Sequence, residues 1–214
     1  MNIALETSLI SAGTSFVVLL LGQILWPMIK DWRSAKSDAT YLAIRVVCVL
    51  DKFVEDCAST AIDDGEENEK GQSIARVTAP DPPTYPSDVN WKSIHNTLMY
   101  KLLSLPASTE RAANYVQNSA EDSFGPDNGE WFEARTESYA DLGLQAHALS
   151  RELRKQYKLP AVEFLAWDPI SRMEDELRKI SSRHELRAKK FEEFSKLAPP
   201  APPPAPSETS SEES

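Results

Sequence analysis

Side chains able to move protons or bind metals are sparse and scattered in this sequence: His95, His147 and His184, two cysteines, and carboxylates spread along the chain. No histidine has a second ligand three or four positions away, the spacing that sets two donors on one helical face. A zinc site drawn from three separate helices stays open as an alternative. The Glu-x-x-His pairs that hold di-iron centres in helical bundles are missing, because Leu144 precedes His147 and Ser181 precedes His184 at that offset. Glu130, Glu133 and Glu137 share one helical face and carry the charge for a cation. A solvated first turn, where the helix dipole favours carboxylates, accounts for them more simply. Residues 63–71, DDGEENEKG, alternate carboxylates in a way that suits calcium, but the spacing departs from the EF-hand loop.

No glycine-rich phosphate loop follows a strand, and no G-x-S-x-G elbow is present. Seven glycines leave little material for ligand-cradling loops. Cys48 and Cys57 would stand about 14 Å apart on a helix, and disulfide-bonded Cα atoms lie within about 7 Å. They are expected as structural thiols in a reducing compartment, with an intermolecular disulfide as the alternative. Trp91, Trp131 and Trp167 stand at or near predicted helix starts. There they either cover the ends of a bundle or line a ligand pocket. These residues point to no catalytic, cofactor-binding or metal-ligating set and to no cofactor, so a non-enzymatic protein is expected.

The elements that must position these side chains are helices. Leu42, Val46, Val49, Phe53 and Cys57 recur at steps of three and four, and Ile44, Val47, Leu50 and Val54 widen the apolar face. That predicts a long helix, capped by Ser37 or Asp38 and central in a bundle. Residues 63–87 follow as an acidic, proline-rich loop, in which Pro80, Pro82, Pro83 and Pro86 exclude regular ladders and Tyr85 pins a crossover. A helix starting near Ser87 or Asp88 carries Trp91, Ile94, Leu98, Leu102 and Leu105, and Pro106 ends or kinks it. A more polar helix is expected over 108–122, then a turn at 124–130.

The rhythm is strongest over 130–157, with Tyr139, Leu142, Ala146, Leu149 and Leu153, and with Ala140 and Gly143 leaving room for a close neighbour. Arg151, Arg154, Lys155 and Lys158 crowd its end, where cations complement the dipole. Asp168-Pro169 is a cap followed by proline at the first helical position. It opens a last helix to about Leu197, whose heptad-like stripe of Ile170, Met173, Leu177 and Ile180 breaks at His184 and Arg187 before Phe191 and Phe194. Such a helix projects from the bundle or forms a coiled coil.

Residues 7–29, TSLISAGTSFVVLLLGQILWPMI, carry no charge. As a helix they cover about 34 Å, enough to cross a hydrocarbon core of about 30 Å. A cleaved signal peptide needs a basic start and a small-x-small cleavage site, and neither is present. Lys30, Arg33 and Lys36 flank the segment on one side and only Glu6 on the other, so the positive-inside rule places the remainder in the cytoplasm. The formal net charge of -10 argues against a nucleic-acid binder. Residues 198–214, APPAPPPAPSETSSEES, cannot bury enough apolar surface to order themselves.

The blocks YLAIRVVCVLDKFVEDCA (41–58), DVNWKSI and LMYKLLSLP (88–94 and 98–106), YADLGLQAHALSRELRKQYKLP (139–160) and WDP (167–169) resemble a loose set of uncharacterised bacterial proteins. These combine a short N-terminal hydrophobic segment with a helical domain. The resemblance covers about half the chain. It implies a bacterial source and an inner-membrane location, and it carries no activity and no site residues.

The expected architecture is therefore all-α: a short extracytoplasmic N-terminus (1–6), one transmembrane helix (7–29), a cytoplasmic antiparallel helical bundle (30–197) with a long C-terminal helix, and a disordered tail (198–214). The expected partners are the lipid bilayer through residues 7–29 and a protein, either another chain or a second copy, with no nucleic acid. The expected function is a membrane-tethered interaction or scaffold module, with a regulatory or sensing subunit as the alternative.

Overall fold

The computed structural model describes residues 26–122, 128–164 and 167–197. The expected membrane span lies outside them except for residues 26–29, and the expected disordered tail lies wholly outside. Among the described residues the chain is mostly helical, with four long helices: α1 (Trp26–Ala61), α2 (Asn96–Asp122), α3 (Gly129–Tyr157) and α4 (Pro169–Leu197). None of the described helices is long and apolar enough to cross a membrane. A two-residue hairpin pairs β1 (Glu66–Glu67) with β2 (Ser73–Ile74), and a 3-10 turn spans Trp91–Ser93. The chain divides into two compact units, Met1–Leu177 and Arg178–Ser214.

The first unit holds the core. Leu42, Val46, Val47, Leu50, Phe53, Val54 and Cys57 of α1 are buried, as the predicted stripe has them, while Val49 is half-buried and Ile44 and Cys48 on the flank are exposed. The helix does not start at Ser37 or Asp38. Both are exposed residues inside a continuous α1. A cap residue on an outward face costs a helix only a few tenths of a kcal/mol, roughly, and nothing between Trp26 and Ala39 breaks it.

α2 is a second difference. It begins at Asn96, after the 3-10 turn, and runs unbroken through Pro106 to Asp122. The two predicted helices are one. Proline inside a helix costs about 3 kcal/mol. Leu98, Leu102 and Leu105 before Pro106, and Thr109 and Val116 after it, are all buried. Burying each large aliphatic side chain contributes about 1.5–3 kcal/mol, so the stripe outweighs the proline.

Pairings along α3 set the helix directions. Asp51 meets Ser150 and Arg154, Cys57 lies against Gly143, and Thr60 meets Arg135, so α1 and α3 run antiparallel. Lys101 pairs with Glu152 at 3.3 Å, and Ser108 shares a groove with Gln145, so α2 and α3 are antiparallel as well. The neighbours in sequence, α1 and α2, therefore run in the same direction. The crossover between them is the proline-rich segment, in which Tyr85 packs edge-on against Trp91 at 5.5 Å. α3, which packs on both α1 and α2, takes the central place expected of α1.

Gly143 marks the tightest approach. A Cβ there would meet Met173 Sδ at 2.5 Å and Cys57 Cβ at 3.0 Å. The first turns of α4 thus close over the contact between α1 and α3. Asp168 caps α4 as predicted: its Oδ1 accepts the Ile170 N–H at 3.0 Å, and its Oδ2 accepts the Ser171 hydroxyl at 2.6 Å. In the second unit α4 continues to Leu197, and every residue over 181–196 is exposed.

Candidate functional site

α3 carries polar side chains at both ends. At its start Arg135 is buried to 3 % side-chain exposure, and its Nη1 lies 3.2 Å from the Oδ2 of Asp63, which is exposed to 1 %. Arg135 also donates to the carbonyls of Thr60, at 2.9 Å, and Val77. Asp63 accepts the N–H groups of Gly65 and Val77 at 3.0 and 2.9 Å, and Arg76 at 3.4 Å. Burial pushes the Asp63 carboxyl up, but the two backbone N–H groups with Arg135 and Arg76 outweigh it and hold the group below the usual carboxylate range. Burial lowers Arg135, and Asp63 opposes that shift. The Arg135 guanidinium lies over the Trp131 ring, 5.6 Å from its centroid.

This cluster ties the end of α1, the hairpin segment and the start of α3 together. Gly65 makes the turn possible, at φ +76 and with Phe132 and the Ile74 carbonyl where a side chain would stand. Asn128 reaches the Ser73 carbonyl at 3.0 Å from the other side. Asp63, the first carboxylate of the calcium-like run, is thus consumed by the fold.

The other end of α3 is open. A cleft of about 510 Å³ lies between its last turns, the connector that follows and the first turn of α4. One wall is polar: His147, Ser150, Arg151, Arg154 and Lys155. The other is apolar and includes Leu159, Val162, Phe164 and Ile170, with Asp168 at its edge. The local sequence explains this layout. Lys158 adopts a left-handed conformation at φ 55 and ends α3, and Leu159 N–H returns to the Arg154 carbonyl at 2.9 Å. The chain then doubles back so that its apolar residues face the cationic turns.

Within the cleft the charges are unequally engaged. Arg154 is locked: it pairs with Asp51, donates to the Pro160 carbonyl and lies 3.3 Å from Ser150 Oγ. Ser150 in turn donates to Asp51 at 2.7 Å. Asp168 spends its oxygens on the α4 cap, and hydrogen bonds from Ser171 and Ile170 hold it below the usual carboxylate range. Burial lowers His147, and the Arg151 cation lowers it further, so the imidazole is favoured neutral. Arg151 and Lys155 are exposed and stand one helical turn apart, with no ion-pair partner among the described residues.

The other side chains singled out by type do not converge. His95 is exposed, its Nδ1 accepting the Thr97 N–H at 3.3 Å, and His184 is exposed on α4. Glu130 is exposed, whereas Glu133 is buried rather than part of a solvated turn, because α3 packs along that side from its first turn. Among the described residues no group of three or more His, Cys, Asp or Glu is placed to hold a metal ion. Cys48 and Cys57 are both free. Cys57 is packed against Gly143 and burial pushes its thiol up, while Cys48 is exposed rather than part of the core. Trp91 and Trp131 cover polar and aromatic neighbours within the fold, and Trp167 lies just before the α4 cap.

Arg151, Arg154 and Lys155 are legible in the sequence only as complements to the helix dipole. Their opposition to Val162, Phe164 and Ile170 is not, because it depends on the direction the chain takes after Lys158. A scan against protein-family models and searches among curated proteins and solved structures match this chain to nothing.

Proposed function

We propose that the chain is a single-pass inner-membrane protein whose cytoplasmic helical domain acts as a non-enzymatic interaction or scaffold module. The observation that carries this reading is a core packed to contact at Gly143, with open grooves on its outside. Large apolar side chains also lie exposed along the helices: Tyr41 and Ile44 on α1, Tyr100 and Leu103 on α2, Phe191 and Phe194 on α4. Each pair is spaced three residues apart and so shares one helix face, and a contiguous exposed apolar patch is the kind of surface that protein partners cover. Membrane attachment is supported by the uncharged run at 7–29 and by Lys30, Arg33 and Lys36 just beyond it. α1 then runs from Trp26 into the core without a break, so a bilayer anchor would be joined to the domain by one helix. Tethering raises the effective concentration of such a module for partners on the same surface.

Crosslinking in intact membranes, followed by identification of the captured protein, tests the reading. The expected result is a membrane-resident chain crosslinked to a distinct partner or to a second copy. Recovery of uncrosslinked chain alone, or of full-length chain in the soluble fraction after gentle lysis, overturns it. The cationic cleft favours a second reading, a regulatory or sensing subunit that responds to a ligand.

A further inference from the structure

We propose that the cleft beside Arg151 and Lys155 binds an anionic amphiphile, a carboxylate or phosphate headgroup carried on an apolar chain. The proposal deepens the sensing reading and rests on it.

The argument starts from charge that the fold leaves unspent. Three carboxylates near the last turns of α3 are committed elsewhere, and Glu163 on the connector is exposed and forms no ion pair with Arg151 or Lys155 among the described residues. Asp51 is held by Arg154 and Ser150, Asp168 by the α4 cap, and Glu152 by Lys101. Arg151 and Lys155 are left facing solvent on one side of the helix, where like charges one turn apart repel. The helix dipole rewards cations at this position. It does not explain an apolar wall built opposite them from Val162, Phe164 and Ile170. Nor does overall charge, because the chain carries -10 and this patch has the opposite sign.

A ligand that satisfies both walls needs an anionic end and an apolar body. The headgroup would sit between the Arg151 guanidinium, which offers a planar fork of donors, and the Lys155 ammonium. The body would lie along Phe164 and Ile170 and remove them from water. The cleft volume of about 510 Å³ falls in the range that small-molecule sites occupy. Arg154, already locked to Asp51 and to the Pro160 carbonyl, holds the connector in place and so fixes the spacing of the two walls.

The headgroup can come from a free amphiphile or from a membrane lipid, and the test separates them. Full-length protein in nanodiscs of zwitterionic phosphatidylcholine is titrated with dodecanoate, dodecyl phosphate and dodecanol, with empty nanodiscs as background. Saturable binding of the two anions at one site is expected, with dodecanol at least about tenfold weaker. The Arg151→Ala/Lys155→Ala double variant should lose affinity for both anions by about tenfold or more. Phe164→Ala should weaken dodecanoate by about tenfold through lost apolar contact. A parallel arm uses nanodiscs containing photo-crosslinkable phosphatidylglycerol. Crosslinking that depends on Arg151 and Lys155, without binding of the free anions, assigns the headgroup to the bilayer. Equal affinity for dodecanol and dodecanoate, or wild-type behaviour of the double variant in both arms, overturns the proposal. Both substituted residues are exposed, so the variant folds, and unchanged circular dichroism verifies it. Its membrane fractionation and partner crosslinking should match wild type, so failure of the cleft and failure of the tethered-module reading are told apart.

Discussion

The two ends of α3 treat positive charge in opposite ways. Near its start, Arg135 is buried against Asp63 and two backbone carbonyls. Near its end, Arg151 and Lys155 stand in an open cleft while their neighbour Arg154 takes the local carboxylate. The first charge is consumed in holding three segments together. The second pair lines the cleft and has no ion-pair partner among the described residues. A cation's partners, rather than its place on the helix, decide whether it is spent on the fold.

The largest expected effect comes from breaking the buried end. Arg135→Leu removes the guanidinium and leaves Asp63 and the Thr60 and Val77 carbonyls buried without it. Losing one member of a buried pair costs about 3–5 kcal/mol. Arg151→Ala, at the open end of the same helix, should change stability by no more than about 0.5 kcal/mol. Urea unfolding of both variants measures the contrast, and equal losses would erase it.

A smaller effect is expected midway between the ends. Gly143→Val would push a branched side chain into Met173 and Cys57. Overpacking of this kind costs about 1–3 kcal/mol, and the same unfolding measurement reads it. Little change would mean that α4 can lift from α1 and α3 without loss.

Acid sharpens the comparison further. The Asp63 pKa is depressed in the folded state, so its contribution is fully present above the unfolded carboxylate value of about 3.9. It is lost as pH falls through the lower folded value. Stability should therefore decline below about pH 4, and Asp63→Asn should flatten that decline. Hydrogen exchange at the start of α3 should rise in acid before exchange at its end.

The smallest effect is a gain. Lys158 holds a left-handed backbone that glycine adopts without strain. Lys158→Gly should raise stability by about 0.5 kcal/mol and leave the cleft walls in place, since the αL cap is preserved.

Much of the helix layout could be read from spacing alone. Asp168-Pro169 marked the start of α4, the rhythm over 130–157 located α3 to within one residue, and Gly143 was legible as a close-packing position. The misread bounds have two causes. Ser37 and Asp38 can begin a helix but do not interrupt one, whereas Pro106, a signal that usually ends helices, is outweighed by packing. Leu102, Leu105 and Val116 bury on both sides of Pro106, and α1 bears Ser37 and Asp38 on an outward face. Arg135 could not be called buried from sequence, because its partners Thr60 and Asp63 lie 75 and 72 positions away.

Apolar periodicity, an effect within a few residues, was enough to determine that the described chain is mostly helical and which residues of α1, α2 and α3 form the buried stripes, but not where each helix begins and ends. Direction and partnership were decided only in three dimensions. α1 and α2 run parallel because α3 pairs antiparallel with each, and that follows from side chains meeting across the bundle. The same holds for the charges: Asp51, 103 residues from Arg154 in sequence, occupies that arginine and leaves Arg151 and Lys155 open. Electrostatic pairing depends on distance through space, and only a folded chain sets that distance.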